Sequence, residues 1–209
     1  MGTGGKPIIT GIEVTEFAYT LHELGRDYNG FNLVYSSGST ITARTAVVQI
    51  HTDQGITGEY CTGMAQLATL PALADYLIGK NALERELIYN DLKRALRKHD
   101  RMCQGPIDIA LWDIAGKFYR APISQLLGGW KTSLPAYAST YHGDHAPGGL
   151  NSPQAFADFA VQCKEMGYPA FKIHGWGKPV IADEVATVLA VRRAVGEGMD
   201  LMIDPACEY

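Results

Sequence analysis

The fold is decided by the stretch SPQAFADFAVQCKEMGYPAFKIH, residues 152–174. Ser152 can cap a helix that begins at Pro153, because a serine oxygen accepts from a free first-turn amide and proline lacks one of those amides. Apolar residues at helical spacing follow, and Gly167 supplies the stop. Residues 170–174 alternate in the manner of a strand. The stretch therefore predicts a helix followed by a strand.

The same alternation continues on both sides of this stretch. Residues 134–141 and 201–204 have the composition of strands, and residues 181–195 predict a second helix that ends at Gly196. The order strand, helix, strand, helix, strand predicts right-handed parallel βαβ units. An α/β barrel and a doubly wound sheet both begin this way, so the alternation alone leaves both open.

The first part of the chain is organised differently. Its composition predicts three strands and then three helices, at residues 8–20, 45–51, 56–60, 65–78, 82–98 and 105–119. Residues 22–40 are a long polar stretch between the first two strands, and we interpret them as a mobile lid because loops of this length are usually functional. We expect an N-terminal domain of strands plus a three-helix bundle at residues 1–128, and a second domain at residues 129–209.

The composition, net charge and cysteine count exclude several classes of protein. The 209 residues are 46% hydrophobic with a formal charge of −4, which is typical of a globular protein and gives nucleic acid no basic face to bind. We find neither a signal peptide nor a membrane span. The four cysteines are far apart, which argues against a zinc site or a disulfide scaffold. We therefore expect reduced thiols and a cytoplasmic protein, with no nucleic-acid or membrane partner.

Two titratable residues share one face of the strand at residues 170–174. Lys172 and His174 point to one side, and Phe171 and Ile173 to the other, because side chains alternate along a strand. Asp204 ends the next apolar strand, where an acidic residue suits a hard cation such as Mg²⁺. The alternatives without a functional role are a solvated edge strand for Lys172 and His174 and a turn aspartate for Asp204.

The segment after the first strand of this region, residues 141–145, is rich in His and Asp. Its glycine content favours a flexible connection over a metal site, and we retain His142 as a candidate substrate contact. Residues 175–178 contain a lysine among glycines, but they lack the spacing and the following Ser or Thr of a phosphate loop.

Residues 107–128 carry a recognisable signature. IDIALWDIAGK at residues 107–117, with Pro122 and the LLG of residues 126–128, closely resembles the signature of the mandelate racemase/muconate lactonizing enzyme family of the enolase superfamily. In that signature Asp108 and Asp113 are structural positions. The resemblance covers nearly the whole chain after residue 7, and it implies an α/β fold: an α+β capping domain, followed by the first three β/α units of an incomplete TIM-like barrel.

The resemblance also implies roles for individual residues. Lys172 resembles the residue that neutralises the substrate carboxylate, His174 the catalytic acid/base, and Asp204 the first of three carboxylate ligands of Mg²⁺. The family usually has a second lysine where His174 stands, but a histidine can also accept a proton at neutral pH. Residues 22–40 and residues 60–64 resemble the two capping loops that close over substrate.

The implied reaction is Mg²⁺-dependent abstraction of the proton α to a carboxylate, through an enediolate. We favour dehydration of a sugar acid or another hydroxy acid, with racemisation, epimerisation or cycloisomerisation as alternatives within the family. Polar side chains suit a polyhydroxylated substrate, and the predicted substrate-binding residues are His22, Arg26, Tyr28, Tyr60 and His142.

Two readings of another class remain open. Lys172 could be the nucleophile of a Schiff-base lyase, since desolvated lysines serve that way, or the protein could bind sugar acids without catalysis. A family barrel has about eight strands and only three are predicted here. We therefore expect the chain to be part of a longer protein, inactive and poorly soluble alone, and a homo-oligomer when whole.

Overall fold

The computed structural model describes residues 5–24, 38–143, 147–176 and 180–205. The chain separates into two compact units, one built around residues 41–132 and the other around residues 133–205. The domain boundary expected at residue 128 stays a prediction.

The N-terminal unit contains a three-stranded sheet followed by helices. The strands are β1 (Ile9–Leu24), β2 (Ser39–Thr52) and β3 (Thr57–Thr62), in the order β1-β2-β3, with β2 and β3 antiparallel. A 3₁₀ turn (Met64–Leu67) leads to α1 (Leu70–Leu77), α2 (Arg85–Ala95), α3 (Gln104–Tyr119) and the short α4 (Ile123–Leu126).

The elements predicted for this unit were wrong in three places. The first two strands extend to Leu24 and from Ser39, well into the stretch predicted as a loop, because the β-branched residues that start β2 continue the strand alternation. The helix predicted at residues 65–78 is divided into a 3₁₀ turn and α1. Pro71 lies in the first turn of α1, where its missing amide removes no helical hydrogen bond.

The family signature lies on α3, which packs closely against β3. Ile107, Ala110, Leu111 and Ile114 are buried along one face of α3, as their spacing predicts. A Cβ atom at Gly58 of β3 would lie only 2.0 Å from the carbonyl oxygen of Ala110. Glycine therefore permits the approach of the two backbones.

The second unit contains three parallel strands with helices between them. In chain order these are β4 (Ala138–Ser139), α5 (Pro153–Glu165), β5 (Ala170–Ile173), α6 (Ile181–Val195) and β6 (Asp200–Ile203). The strand order is β4-β5-β6, and both pairs are parallel. Ser152 caps α5 by accepting from the amide of Ala155 at 3.2 Å, as predicted. The strand predicted at residues 134–141 shortens to two residues.

A separate core lies beneath this sheet. Phe171 and Ile173 of β5 are fully buried, together with Phe156 of α5 and Val191 of α6. The apolar residues of β5 thus face the helices. No helix within the described ranges has both the length and the apolar content to cross a membrane.

Candidate active site

The carboxyl ends of β5 and β6 bring three predicted site residues together. The Lys172 ammonium lies 3.0 Å from Oδ2 of Asp204, and Nε2 of His174 lies 4.0 Å from Oδ1 of the same carboxylate. The backbone sets this arrangement: β5 and β6 pair in parallel with Ile173 opposite Ile203, and the Asp204 amide donates to the Ile173 carbonyl at 2.9 Å. A cation, an imidazole and a carboxylate therefore converge at one edge of the sheet.

The ion pair with Asp204 changes the acidity of Lys172. The pKa of Lys172 is raised above the usual lysine value, chiefly because its ammonium donates to Asp204. Partial burial acts in the opposite direction, and Tyr137 adds to the increase. The ammonium lies 5.2 Å from the centre of the Tyr137 ring. Lys172 is consequently a cation at neutral pH, suited to binding a carboxylate and unsuited to nucleophilic attack.

His174 is held by residues that follow β4. Its amide donates to Oγ1 of Thr140 at 2.8 Å, and the Thr140 amide donates to the Lys172 carbonyl at 3.0 Å. The rings of His142 and His174 lie 4.4 Å apart, centre to centre, at an interplanar angle of 46°. His142 thus belongs to the same cluster as the three residues at the strand ends.

The other predicted substrate-binding residues are placed differently. His22 is exposed on β1, within a strand rather than in the predicted loop. Tyr60 lies in β3, paired with Val48, and packs half-buried on the N-terminal core. Arg26 and Tyr28, with most of the predicted lid, lie outside the described residues. The structure therefore brings only His142 of these five to the strand ends within the described ranges.

Two residues of the cluster were missed by sequence reasoning. Tyr137 contacts the Lys172 ammonium, and the Thr140 hydroxyl oxygen accepts a hydrogen bond from the His174 amide. Both lie in the segment predicted as the first strand of the second unit. The applicable signal was the polar or aromatic character of positions near the end of that strand, since strand ends in such folds face the active site.

Asp204 offers one ligand position for a magnesium ion. Carboxylate oxygens are the donors that Mg²⁺ prefers, and it binds through one or two of them. Across the described ranges there is no group of three or more His, Cys, Asp or Glu residues arranged to hold a metal. The described donor set therefore fits one ligand of such a site.

A cavity of about 560 Å³ lies beside this cluster, against α5. Its lining includes Ser139, Thr140 and Tyr141 from the end of β4, and Asp158 and Phe159 from α5. Lys172, His174 and Asp204 do not line it, so the cavity is separate from the charged cluster.

Comparison with known proteins gives matches in both parts of the chain. Residues 28–128 match the family model for the mandelate racemase/muconate lactonizing enzyme N-terminal domain, and residues 155–209 match the enolase C-terminal domain-like model. The D-galactarolactone cycloisomerase of Agrobacterium fabrum is 36% identical over 168 residues, which are 76% of this chain and 43% of that protein. The D-xylonate dehydratase of Haloferax volcanii is 30% identical over 182 residues, which are again 76% of this chain and 43% of that protein.

A solved structure shares the fold over almost the whole chain. It is a D-glucarate dehydratase from Agrobacterium tumefaciens complexed with magnesium, with a TM-score of 0.81 and 28% identity. The match covers 96% of this chain and 54% of that one. The expected α/β fold, a capping domain followed by part of a TIM-like barrel, is thus confirmed. The chain spans about half the length of these relatives.

Proposed function

Since the chain belongs to the mandelate racemase/muconate lactonizing enzyme family of the enolase superfamily, we propose that it forms part of a Mg²⁺-dependent enzyme that removes the proton α to a carboxylate. The reaction we favour is dehydration of a sugar acid or another hydroxy acid. The observation that carries this proposal is the convergence of Lys172, His174 and Asp204 at the ends of two parallel strands.

Each of the three residues has a proposed task. Lys172 binds the substrate carboxylate and balances the negative charge that develops when the α-proton leaves. His174 accepts that proton at Nε2, because imidazole is basic enough near neutral pH. Asp204 would hold the magnesium ion as one ligand, together with ligands from outside the described residues. Mg²⁺, when bound, would supply positive charge beside the substrate carboxylate.

The same geometry disfavours the Schiff-base alternative. A lysine nucleophile must be neutral, whereas the pKa of Lys172 is raised by its hydrogen bond to Asp204. Borohydride with substrate should therefore leave Lys172 unmodified in the whole protein. Covalent trapping of substrate on Lys172 would favour a Schiff-base lyase instead.

Product analysis on the whole protein tests the proposed reaction. Loss of the β-hydroxyl as water after α-proton removal gives an enol that becomes a 2-oxo acid. Semicarbazide converts the 2-oxo acid to a semicarbazone, which is detected by its absorbance. We expect a 2-oxo acid from one or more members of a panel of aldonic and aldaric acids, lost with EDTA and restored by Mg²⁺. A metal-independent product, or no product and no α-proton exchange with any acid, would reject the proposal.

Cycloisomerisation is the second candidate, because the D-galactarolactone cycloisomerase is the relative that shares 36% identity with this chain. A cycloisomerase would rearrange a lactone without releasing water. Including sugar lactones in the panel, and following them by NMR, separates the two reactions.

A cytoplasmic location is also part of the proposal. It is supported by Cys61, Cys103 and Cys163, which are free thiols. Assembly into a homo-oligomer stays a prediction.

A further inference from the structure

A buried tryptophan lies directly behind the histidine cluster. Trp176 is 2% exposed and packs against Phe156 of α5, with ring centres 5.5 Å apart. It follows His174 by two residues, and the fully buried Ile173 of β5 directly precedes His174. Trp176 is therefore a buried point on the C-terminal side of His174.

Two polar residues of α6 hold this tryptophan. The Trp176 amide donates to Oε1 of Glu184 at 2.7 Å, and the indole Nε1 donates to Oγ1 of Thr187 at 3.0 Å. The Thr187 hydroxyl in turn donates to the Asp183 carbonyl at 2.7 Å. Thr187 is fully buried and Glu184 is 7% exposed. The backbone and the ring of Trp176 are thus each fixed by a separate hydrogen bond.

The same segment is joined to the loop that carries His142. The Gly143 amide donates to the Gly175 carbonyl at 2.8 Å, and Gly143 forms a parallel bridge with Trp176. A Cβ atom at Gly143 would lie 2.8 Å from the Trp176 ring, so glycine allows this contact. His142 is adjacent to Gly143, and its ring is 4.4 Å from that of His174. Trp176 is therefore linked through backbone contacts to the two segments that carry the imidazoles.

Two acceptors meet the buried N–H donors of Trp176, because a buried N–H without a partner is costly. One of these acceptors is a carboxylate, which costs more to desolvate than a neutral oxygen. Hydrogen bonds are directional, unlike apolar contacts, so they define the position and orientation of the segment that follows β5.

We infer that Thr187 and Glu184 are positioning residues, which set His174 against His142 and Asp204 by holding Trp176. This rests on the proposed acid/base role of His174. Both act through Trp176, Glu184 through its backbone amide and Thr187 through its indole ring.

The imidazole signals of the whole protein test the inference directly. Thr187→Val keeps the shape of the side chain but removes the acceptor for the indole, and Thr187→Ser retains the hydroxyl as the matched control. In histidine-labelled protein, with signals assigned through His142→Asn and His174→Asn, we expect Thr187→Val to shift the resonances of both rings. Thr187→Ser should restore them, and His51 of the N-terminal unit should not move. Unchanged His142 and His174 signals in Thr187→Val would overturn the inference.

Glu184 has its own matched pair. Glu184→Gln keeps an acceptor for the Trp176 amide and should leave both imidazole signals in place, whereas Glu184→Ala should shift them. Equal shifts in the two variants would mean that charge, and not the hydrogen bond, matters, and would overturn the role given to Glu184.

A measurement on the unsubstituted chain keeps the inference testable if a variant does not fold. The Trp176 indole N–H should exchange with solvent far more slowly than that of Trp130, which is 88% exposed. Equal exchange rates for the two indole N–H groups would contradict the inference that Trp176 is held in place. None of these readouts depends on turnover, so a failure of the proposed reaction and a failure of this inference are separate results.

Discussion

Two aspartate–lysine pairs in the described part of the chain have similar lengths but different surroundings. On the signature helix α3, the Lys117 ammonium lies 2.7 Å from Oδ2 of Asp113. At the strand ends, the Lys172 ammonium lies 3.0 Å from Oδ2 of Asp204. Both pairs join a cation to a carboxylate, so distance alone does not distinguish a structural pair from a functional one.

The partners of each pair make the distinction. Asp113 accepts from the Glu59 amide at 2.9 Å and Lys117 donates to the Thr57 carbonyl at 2.7 Å, so the first pair ties α3 to the backbone of β3. The second pair contacts side chains, namely Tyr137 beside Lys172 and the His174 imidazole beside Asp204. The first pair thus holds α3 against β3, and we propose that the second pair, at the strand ends, meets a ligand.

The largest effect that sharpens this contrast comes from replacing each lysine by methionine. Lys172→Met should lower turnover of the whole protein by about 10²–10³-fold, the range seen when a group that stabilises developing charge is removed, with little change in stability. Lys117→Met should keep turnover and lower the free energy of unfolding by about 1 kcal/mol. Steady-state kinetics and urea unfolding of both variants measure this. Comparable turnover losses in the two would erase the distinction.

Gly58→Ala tests the closeness of packing in the structural region. The added methyl would meet the Ala110 carbonyl and Ile114 well inside contact distance, so we expect destabilisation of about 3 kcal/mol. Gly63→Ala is the matched control, because no atom lies within 4 Å of a Cβ there and the change should stay within about 0.5 kcal/mol. Urea unfolding followed through the NMR signals of α3 gives both values. Equal stability of the two variants would mean that α3 and β3 are farther apart than described.

The smallest expected effect concerns pH. Burial raises the pKa of Cys103, at the start of α3, to about 11 from an ordinary value of 9.0. The unfolded chain therefore loses this proton at lower pH than the folded chain, so the stabilisation is complete below about pH 9 and declines as the pH rises towards 11. Relative to Cys103→Ala, the wild type should lose about 2 kcal/mol between pH 8 and pH 11. If the free energies of unfolding of the wild type and Cys103→Ala changed with pH in the same way, the thiol would be accessible to water.

Sequence patterns predicted those features that depend on local chemistry. The alternation of β5 placed Lys172 and His174 on one face with Phe171 and Ile173 buried on the other. Ser152 and Gly196 marked the start of α5 and the end of α6. Each of these results depends on residues within a few positions of one another, which is the range that periodicity and capping describe.

Contacts between distant segments could not be predicted in this way. The closeness of Thr140 and Tyr137 to the lysine and histidine depends on strand register, with Ser139 opposite Lys172. The anchor of Trp176 depends on how α6 packs over the end of β5. A local pattern contains no information on register or helix packing, so Tyr60 was likewise expected in a capping loop although it lies in β3.

The most direct test of the central claim is exchange of the α-hydrogen of substrate with deuterated solvent, compared between the whole wild-type protein and its His174→Asn variant with Mg²⁺ present. Asparagine is close in size to one side of the imidazole but cannot accept the proton, so we predict that exchange falls by about 10²–10⁴-fold while Mg²⁺ affinity is kept. Exchange at the wild-type rate in His174→Asn would show that the proton goes elsewhere, and the assignment of the strand-end cluster as the acid/base site would be wrong.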